Sequence, residues 1–290
     1  MSKTVIFSTG AKGGVGKSTM AILMIEALRE AGVTVSGIEG DEHSPSLHRK
    51  YGDTIEIADI DLAALFGEDG AELFNEAVNS LGDGFVVVNT PATGSRMFDE
   101  IPRLLRSAGW EARATWCLAI KPDRTCDGVN EDGLFESLDG GMLSGVARGG
   151  VTVVRPLFQE AHRGQKFWYD SYLDMAKEMG LHEMTIKKLP SAIFDAISRD
   201  RRSIPELIAD FNSIDPLTGA NLQMIWHGIK ASLAATILIG EPIRLDAEIE
   251  PSGTRVYGAG GIAETVLGKR TSQPRKTRNS VAEPQDGGDR

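Results

Sequence analysis

The sequence predicts an α/β protein: a mostly parallel, twisted β-sheet with helices packed on both faces. Three observations predict it. Short apolar, β-branched runs recur along the chain without polar alternation, as strands buried on both faces do. Stretches with helical periodicity separate these runs. The first run ends in a glycine-rich turn that leads straight into a helix, the start of a βαβ unit.

The elements follow in order. Thr4 to Ser8 reads as a buried first strand. The helix from about Ser18 to Glu30 repeats Ile22, Met24, Ile25 and Leu28 at helical spacing and stops at Gly32. Val33 to Ile38 is a second strand, and Phe85 to Val88 follows the turn Gly82-Asp83-Gly84. Further strands are expected at Thr115 to Ile120, Val151 to Val154 and Thr185 to Leu189. Helices are expected near 70–81, 96–108, 163–180, 192–211 and 217–239. A single domain over 1–240 therefore precedes a polar C-terminal extension, 241–268, and a tail, 269–290. No internal repeat is visible.

At 290 residues and 31.2 kDa, the chain can bury a sizeable core without disulfides. Hydrophobic residues at 41% and charged residues at 25% exclude global disorder and a fibrous protein. The formal net charge of −10 excludes nucleic-acid binding by bulk charge, so any such contact needs a local basic patch. Two cysteines, Cys117 and Cys126, make no disulfide framework and fit a reducing cytoplasm. The longest apolar stretch, Ala231 to Ile239, falls short of the roughly 18 residues of a membrane span. The N-terminus lacks the longer apolar region and cleavage site of a secretory signal. The tail is nearly devoid of apolar residues and is expected to be disordered. It carries six basic and three acidic residues, a net of +3, which leaves −13 on the rest.

The strongest chemical signal is Gly10-Ala11-Lys12-Gly13-Gly14-Val15-Gly16-Lys17-Ser18-Thr19, placed between strand and helix as a phosphate-binding P-loop requires. Its glycines let backbone N–H groups turn inward around phosphate oxygens, where a Cβ would hinder them. The helix N-terminus adds a positive dipole end. Lys17 can reach the β- and γ-phosphates, and the Ser18 hydroxyl can ligate Mg²⁺.

Lys12 makes the loop a special variant. Lys12-Gly13-Gly14-Val15-Gly16-Lys17-Ser18-Thr19 resembles the deviant Walker A loop of the ParA/MinD family of P-loop ATPases, and the similarity in pattern extends over about residues 1–240. The resemblance implies a P-loop NTPase fold of the SIMIBI type, ATP with Mg²⁺, and an ATP-dependent homodimer in which Lys12 reaches the partner's nucleotide. A second element is Glu39-Gly40-Asp41, where the family reads Asp-x-Asp-Pro. By that resemblance Asp41 orients the attacking water or holds the metal; a turn or helix-cap role for this carboxylate remains open. A third is Val88-Asn89-Thr90-Pro91, matching the Walker B strand and switch. Asn89 replaces the usual Asp there and supplies no charge, so hydrolysis is expected to be slow and Asn89→Asp to quicken it. Leu189-Pro190 resembles the loop that packs on the base, and Arg155 stands where an Asn usually reads it.

The resemblance implies ATPase action as a switch of the small partition type, without an N-terminal helix-turn-helix, positioning plasmid or chromosomal DNA, or serving conjugation or plasmid stability. Its partners would be a second copy, non-specific DNA and a centromere-binding or cargo adaptor protein, with nucleoid association if DNA is bound. Candidate DNA contacts are Lys187, Lys188, Arg199, Arg201 and Arg202, supplemented by Lys269, Arg270, Arg275, Lys276 and Arg278 in the tail. MinD-like membrane positioning and a metabolic P-loop enzyme are the alternatives. The first would need a basic amphipathic C-terminal helix, which the tail with Pro274 does not offer. Cys117 reads as a buried small hydrophobe, the five histidines show no metal spacing, and Phe167-Trp168-Tyr169 with Tyr172 reads as a helix face packed on the sheet.

Overall fold

The computed structural model describes residues 3–41, 44–52, 54–60, 70–91, 104, 107–120, 133–156, 162–237 and 255–256. Its strands are β1 (Thr4–Thr9), β2 (Val35–Glu39), β3 (Ile57–Asp59), β4 (Phe85–Asn89), β5 (Glu111–Cys117), β6 (Val151–Pro156), β7 (His182–Ile186) and β8 (Arg255–Val256). The helices are α1 (Lys17–Glu30), α2 (Ser46–Tyr51), α3 (Gly70–Ser80), α4 (Leu134–Asp139), α5 (His162–Glu178), α6 (Ser191–Arg199), α7 (Ile204–Ile214) and α8 (Pro216–Thr236). One sheet runs in the order β3-β2-β4-β1-β5-β6-β7-β8. β1 to β7 are parallel, and β8 joins β7 antiparallel.

Why the sheet is parallel follows from its composition. β1, β4 and β6 are apolar or β-branched on both sides and almost wholly buried, so helices must cover both faces. On one face Phe74 and Val78 of α3, Leu134 and Leu138 of α4 and Trp168 of α5 close over Phe7, Val86, Val88 and Trp116. Trp168 stacks on Phe135 and Tyr172, so Trp168 and Tyr172 of the aromatic run of α5 pack inward as expected, while the side chains of Phe167 and Tyr169 lie outside the described residues. On the other face α1, buried for most of its length, is wrapped by α2, α6, α7 and α8. Cys117 is buried, as its apolar strand predicts.

Boundaries moved where polar residues conceal buried backbone. β5 begins at Glu111 rather than Thr115, because the backbone from Glu111 pairs with β1 from Thr4, and its polar side chains Glu111 and Arg113 pair with each other. β7 begins at His182 rather than Thr185; Glu183 is buried and ion-paired to Arg155 of β6 at 2.8 Å. The helix expected over 192–211 is two helices, α6 and α7, broken ahead of Ser203. Ser203 accepts from the Glu206 N–H, Glu206 reaches back to the Ser203 N–H, and Pro205 sits in the first turn, a capping box that starts a new helix. The short α2, β3 and α4 carry too few residues to show periodicity. The helix expected over 96–108 lies mostly outside the described residues, as do Cys126 and the tail.

Two buried charges tie this face together. Glu26 of α1 accepts from the Ile204 N–H at 2.9 Å and so caps α7. Lys50 of α2 is buried and donates to the carbonyls of Asp200 and Arg202, at 2.6 and 2.7 Å. Burial lowers its pKa, and the nearby Glu26 and Asp200 partly oppose that.

Candidate functional site

The C-terminal ends of β1, β2, β4 and β7 meet at one edge of the sheet, where strand order reverses around β1. Open α/β sheets bind ligands at such a point. Gly10 leaves β1 so close to β5 that a Cβ on it would lie 2.6 Å from the Cys117 carbonyl oxygen. Gly14 and Gly16 have φ of 73° and 101°, in the left-handed region that a side chain resists. Val15 is buried in the α1-side core and anchors the loop from beneath. Gly16 caps α1 without a side-chain bond, and no acidic residue stands in the first turn of that helix. Its N–H groups and dipole are therefore offered to an external anion.

Lys17 is buried, and its Nζ donates to the Lys12 carbonyl at 2.7 Å. Burial lowers its pKa; the negative potentials of Cys117 and Asp41 oppose the shift. A buried ammonium held by a backbone carbonyl is suited to an incoming phosphate. The Ser8 hydroxyl donates to the Lys17 carbonyl and fixes the first turn. The Lys12 side chain, by contrast, is exposed at the rim.

A cleft of about 540 Å³ opens over this loop. Gly13, Gly14, Gly16, Lys17, Ser18, Thr19 and Ile22 form its floor. Asp41, Ser44, Ser46 and Arg49 form one wall, and Ile186 to Leu189 with Phe194, Ser198 and Arg199 form the other. Asp41 also shapes its own loop: its carboxylate accepts from the Ser44 N–H at 3.1 Å. It is thus both a turn residue and a cleft-wall carboxylate.

Glu39 is the residue whose role the sequence does not reveal. It is buried, and Oε1 accepts from Asn89 Nδ2 at 2.7 Å and from the Asp41 N–H at 3.2 Å. Oε2 accepts from the Leu47 N–H at 2.8 Å. Burial raises its pKa against those hydrogen bonds. The sequence does mark Glu39 as a departure from Asp-x-Asp, but only the register Glu39–Asn89 across β2 and β4 shows that the two departures touch. Asn89 is fully buried, and its Oδ1, like Thr9 Oγ1 beside it on the strand ends, has no hydrogen-bond partner among the described residues. Ser18 Oγ, the Asp41 carboxylate and Asn89 Oδ1 are hard oxygen donors, a set that fits Mg²⁺.

Of the residues expected to touch DNA, Lys187, Lys188 and Arg199 line the cleft. Arg201 packs against Gly52, and Arg202 is held by Asp200 at 2.6 Å and Asp210 at 3.0 Å. Those bonds raise the Arg202 pKa and bring Asp200 down to about 2. Pro190 caps the N-terminus of α6, while its neighbour Leu189 lines the cleft. Arg155 is engaged with Glu183 on the next strand. The basic tail residues Lys269, Arg270, Arg275, Lys276 and Arg278 lie outside the described residues. Among the described residues no three side chains of His, Cys, Asp or Glu cluster as a metal site, and no helix is long and apolar enough to cross a membrane.

A glycine-rich loop joining the central parallel strand to a helix, with a buried lysine beneath it, defines a P-loop nucleotide-binding α/β protein. Residues 6–226 match the CobQ/CobB/MinD/ParA nucleotide binding domain, and the chain belongs to that family. Over 99 residues it is 32% identical to protein MobD of Acidithiobacillus ferrooxidans; the match takes in 33% of this chain and 41% of MobD, less than half of that relative. Among solved structures it is similar to a nucleotide-binding protein from Archaeoglobus fulgidus in complex with ADP, at 14% identity and a TM-score of 0.43, covering 68% of this chain and 86% of that one. It is also similar to a Borrelia burgdorferi protein described as a plasmid partition protein and bound to AMPPNP, at 14% identity and a TM-score of 0.41, covering 66% of this chain and 89% of that one.

Proposed function

We propose that the chain is an ATP- and Mg²⁺-dependent dimerising switch ATPase of the ParA type that positions or partitions plasmid or chromosomal DNA. The observation that carries this reading is the division of labour between two lysines of one loop. Lys17 is buried under the phosphate cradle, whereas Lys12 stands exposed at its rim. A cradle needs only the first to neutralise its own nucleotide. The second is placed to meet another triphosphate, which a facing copy would bring; two such anions repel unless cations lie between them.

Bound Mg²⁺ would polarise the terminal phosphate, and Ser18, Asp41 and Asn89 are the residues to hold it. The chain's own groups do the rest. Backbone N–H groups of Gly13 to Lys17 bind the phosphates, Asp41 orients water, and the apolar wall of Leu189 and Phe194 receives the base. Turnover is slow because Asn89 carries no charge of its own to the metal and can act on it only as a neutral amide. The dimer carries DNA without sequence preference on Arg201 and the tail residues Lys269, Arg270, Arg275, Lys276 and Arg278, with exposed Lys187, Lys188 and Arg199 at the cleft mouth. Pairing two copies doubles these contacts and makes the second intramolecular. A centromere-binding or cargo adaptor protein completes the system in the cytoplasm, on the nucleoid.

Light scattering with and without ATP and Mg²⁺, paired with co-sedimentation on non-specific duplex DNA and on anionic liposomes, tests the reading. ATP-dependent dimers retained on DNA support it, with a salt slope that flattens on removing residues 269–290 by about 0.9 per lost phosphate contact. Retention on liposomes alone overturns it.

A further inference from the structure

The carboxylate missing from the end of β4 stands one strand away. Glu39 and Asn89 are direct register partners on β2 and β4, and both are buried beneath the phosphate loop. Nδ2 of Asn89 spends a hydrogen on Glu39 Oε1 at 2.7 Å, which fixes which end of the amide faces β2 and leaves Oδ1 pointing elsewhere. That oxygen is fully buried and unpartnered among the described residues, one of several such side-chain atoms there, and a buried polar atom ordinarily has a partner. An amide whose N–H binds an anion becomes a better acceptor at its oxygen, since hydrogen bonds in series polarise one another.

We propose that Glu39 is the positioning residue of the magnesium site: it supplies, through the Asn89 amide, the negative charge that β4 lacks, and couples that charge to the loop bearing Asp41. The inference rests on the nucleotide reading above and deepens it. Oε1 also receives the Asp41 N–H and Oε2 the Leu47 N–H, so one side chain spans the Asn89 amide, the loop bearing Asp41 and the start of α2. The pair also reverses the expectation for Asn89→Asp. That change would set two carboxylates in contact where donor now meets acceptor, costing stability instead of quickening turnover.

The test is isothermal titration of ADP with Mg²⁺ and with EDTA, alongside circular dichroism. Glu39→Gln keeps the volume but turns one end into a donor. It should lose about 10-fold or more of the tightening that Mg²⁺ gives, the usual effect of an outer-sphere change, with EDTA affinity nearly unaltered. The exchanged pair Glu39→Gln with Asn89→Asp restores one carboxylate and one amide and should regain most of the tightening. If Glu39→Gln fails to fold, Asn89→Ala serves, because it breaks the relay and spares the bonds from Glu39 to the loop; it should show the same loss. Undiminished tightening in Glu39→Gln or in Asn89→Ala overturns the assignment, as does an exchanged pair that folds but recovers nothing. A wild-type chain that binds no ADP at all would instead sink the nucleotide reading itself.

Discussion

Gly10→Ala isolates what the first glycine of the loop does. A Cβ there would sit 2.6 Å from the Cys117 carbonyl oxygen and 3.2 Å from Val15 Cγ2. Neither neighbour is a flexible side-chain end: one is strand backbone, the other a buried valine. Ordinary contact begins near 3.4 Å, so the loop must lift from β5 by about 0.8 Å, the difference from 2.6 Å. Overpacking of this kind costs about 1–3 kcal/mol. The lift also moves the N–H groups that receive phosphate, and displacements near 1 Å cost on the order of 100-fold in positioned chemistry. Gly32→Ala is the matched control. It is strained by its φ of 73° but meets nothing within 4 Å at the far end of α1, so it should lose about 1–2 kcal/mol without affecting the site. Urea unfolding and a fluorescent-nucleotide titration read both quantities. Nucleotide bound as tightly by Gly10→Ala as by Gly32→Ala would refute the close-approach argument.

Lys12→Ala should keep nucleotide affinity within a few-fold and lose ATP-dependent dimers in light scattering, whereas Lys17→Ala loses both; dimers in the former would remove Lys12 from the interface. Asp41→Ala should bind ATP and persist as a dimer with hydrolysis reduced about 100-fold, a loss typical of a displaced positioning group; a phosphate-release assay showing normal turnover would assign Asp41 to its turn alone. His182 is buried with Nδ1 unpartnered among the described residues, and burial lowers its pKa from 6.5. The folded chain therefore binds fewer protons than the unfolded one just below pH 6.5, so stability is full above that value and falls as pH drops, by at most about 1.4 kcal/mol per unit. His182→Gln should flatten that slope in urea unfolding between pH 5 and 7, and an unchanged slope would place the titration elsewhere.

Legibility in the sequence followed the physics of burial. β1, β4 and the P-loop were plain, because uninterrupted apolar runs and a glycine pattern leave little alternative. Strand starts at Glu111 and His182 were hidden, since each opens on polar residues: Glu111 stays exposed and pairs with Arg113, and Glu183 after His182 is buried against Arg155. The break between α6 and α7 was written in Ser203-Ile204-Pro205-Glu206, a signal of caps rather than of periodicity. Within the site, residues contiguous in the chain were found and those joined across strands were not. Glu39 and Asn89 each looked like a loss when taken alone; fifty positions apart, they become a pair only through sheet register.

Lys50 has a consequence for how anything enters or leaves the cleft. It sits in the helix behind Asp41, Ser44 and Arg49, and its ammonium grips two carbonyls just past the helix that carries Phe194, Ser198 and Arg199. The two walls are thus riveted at their base by a charge that cannot let go without remaining buried and unanswered. Those bonds resist any change in the slot's width at its base. Lys12 stands exposed on the glycine loop that floors the slot, so a second copy seated over that loop would be gate as well as partner.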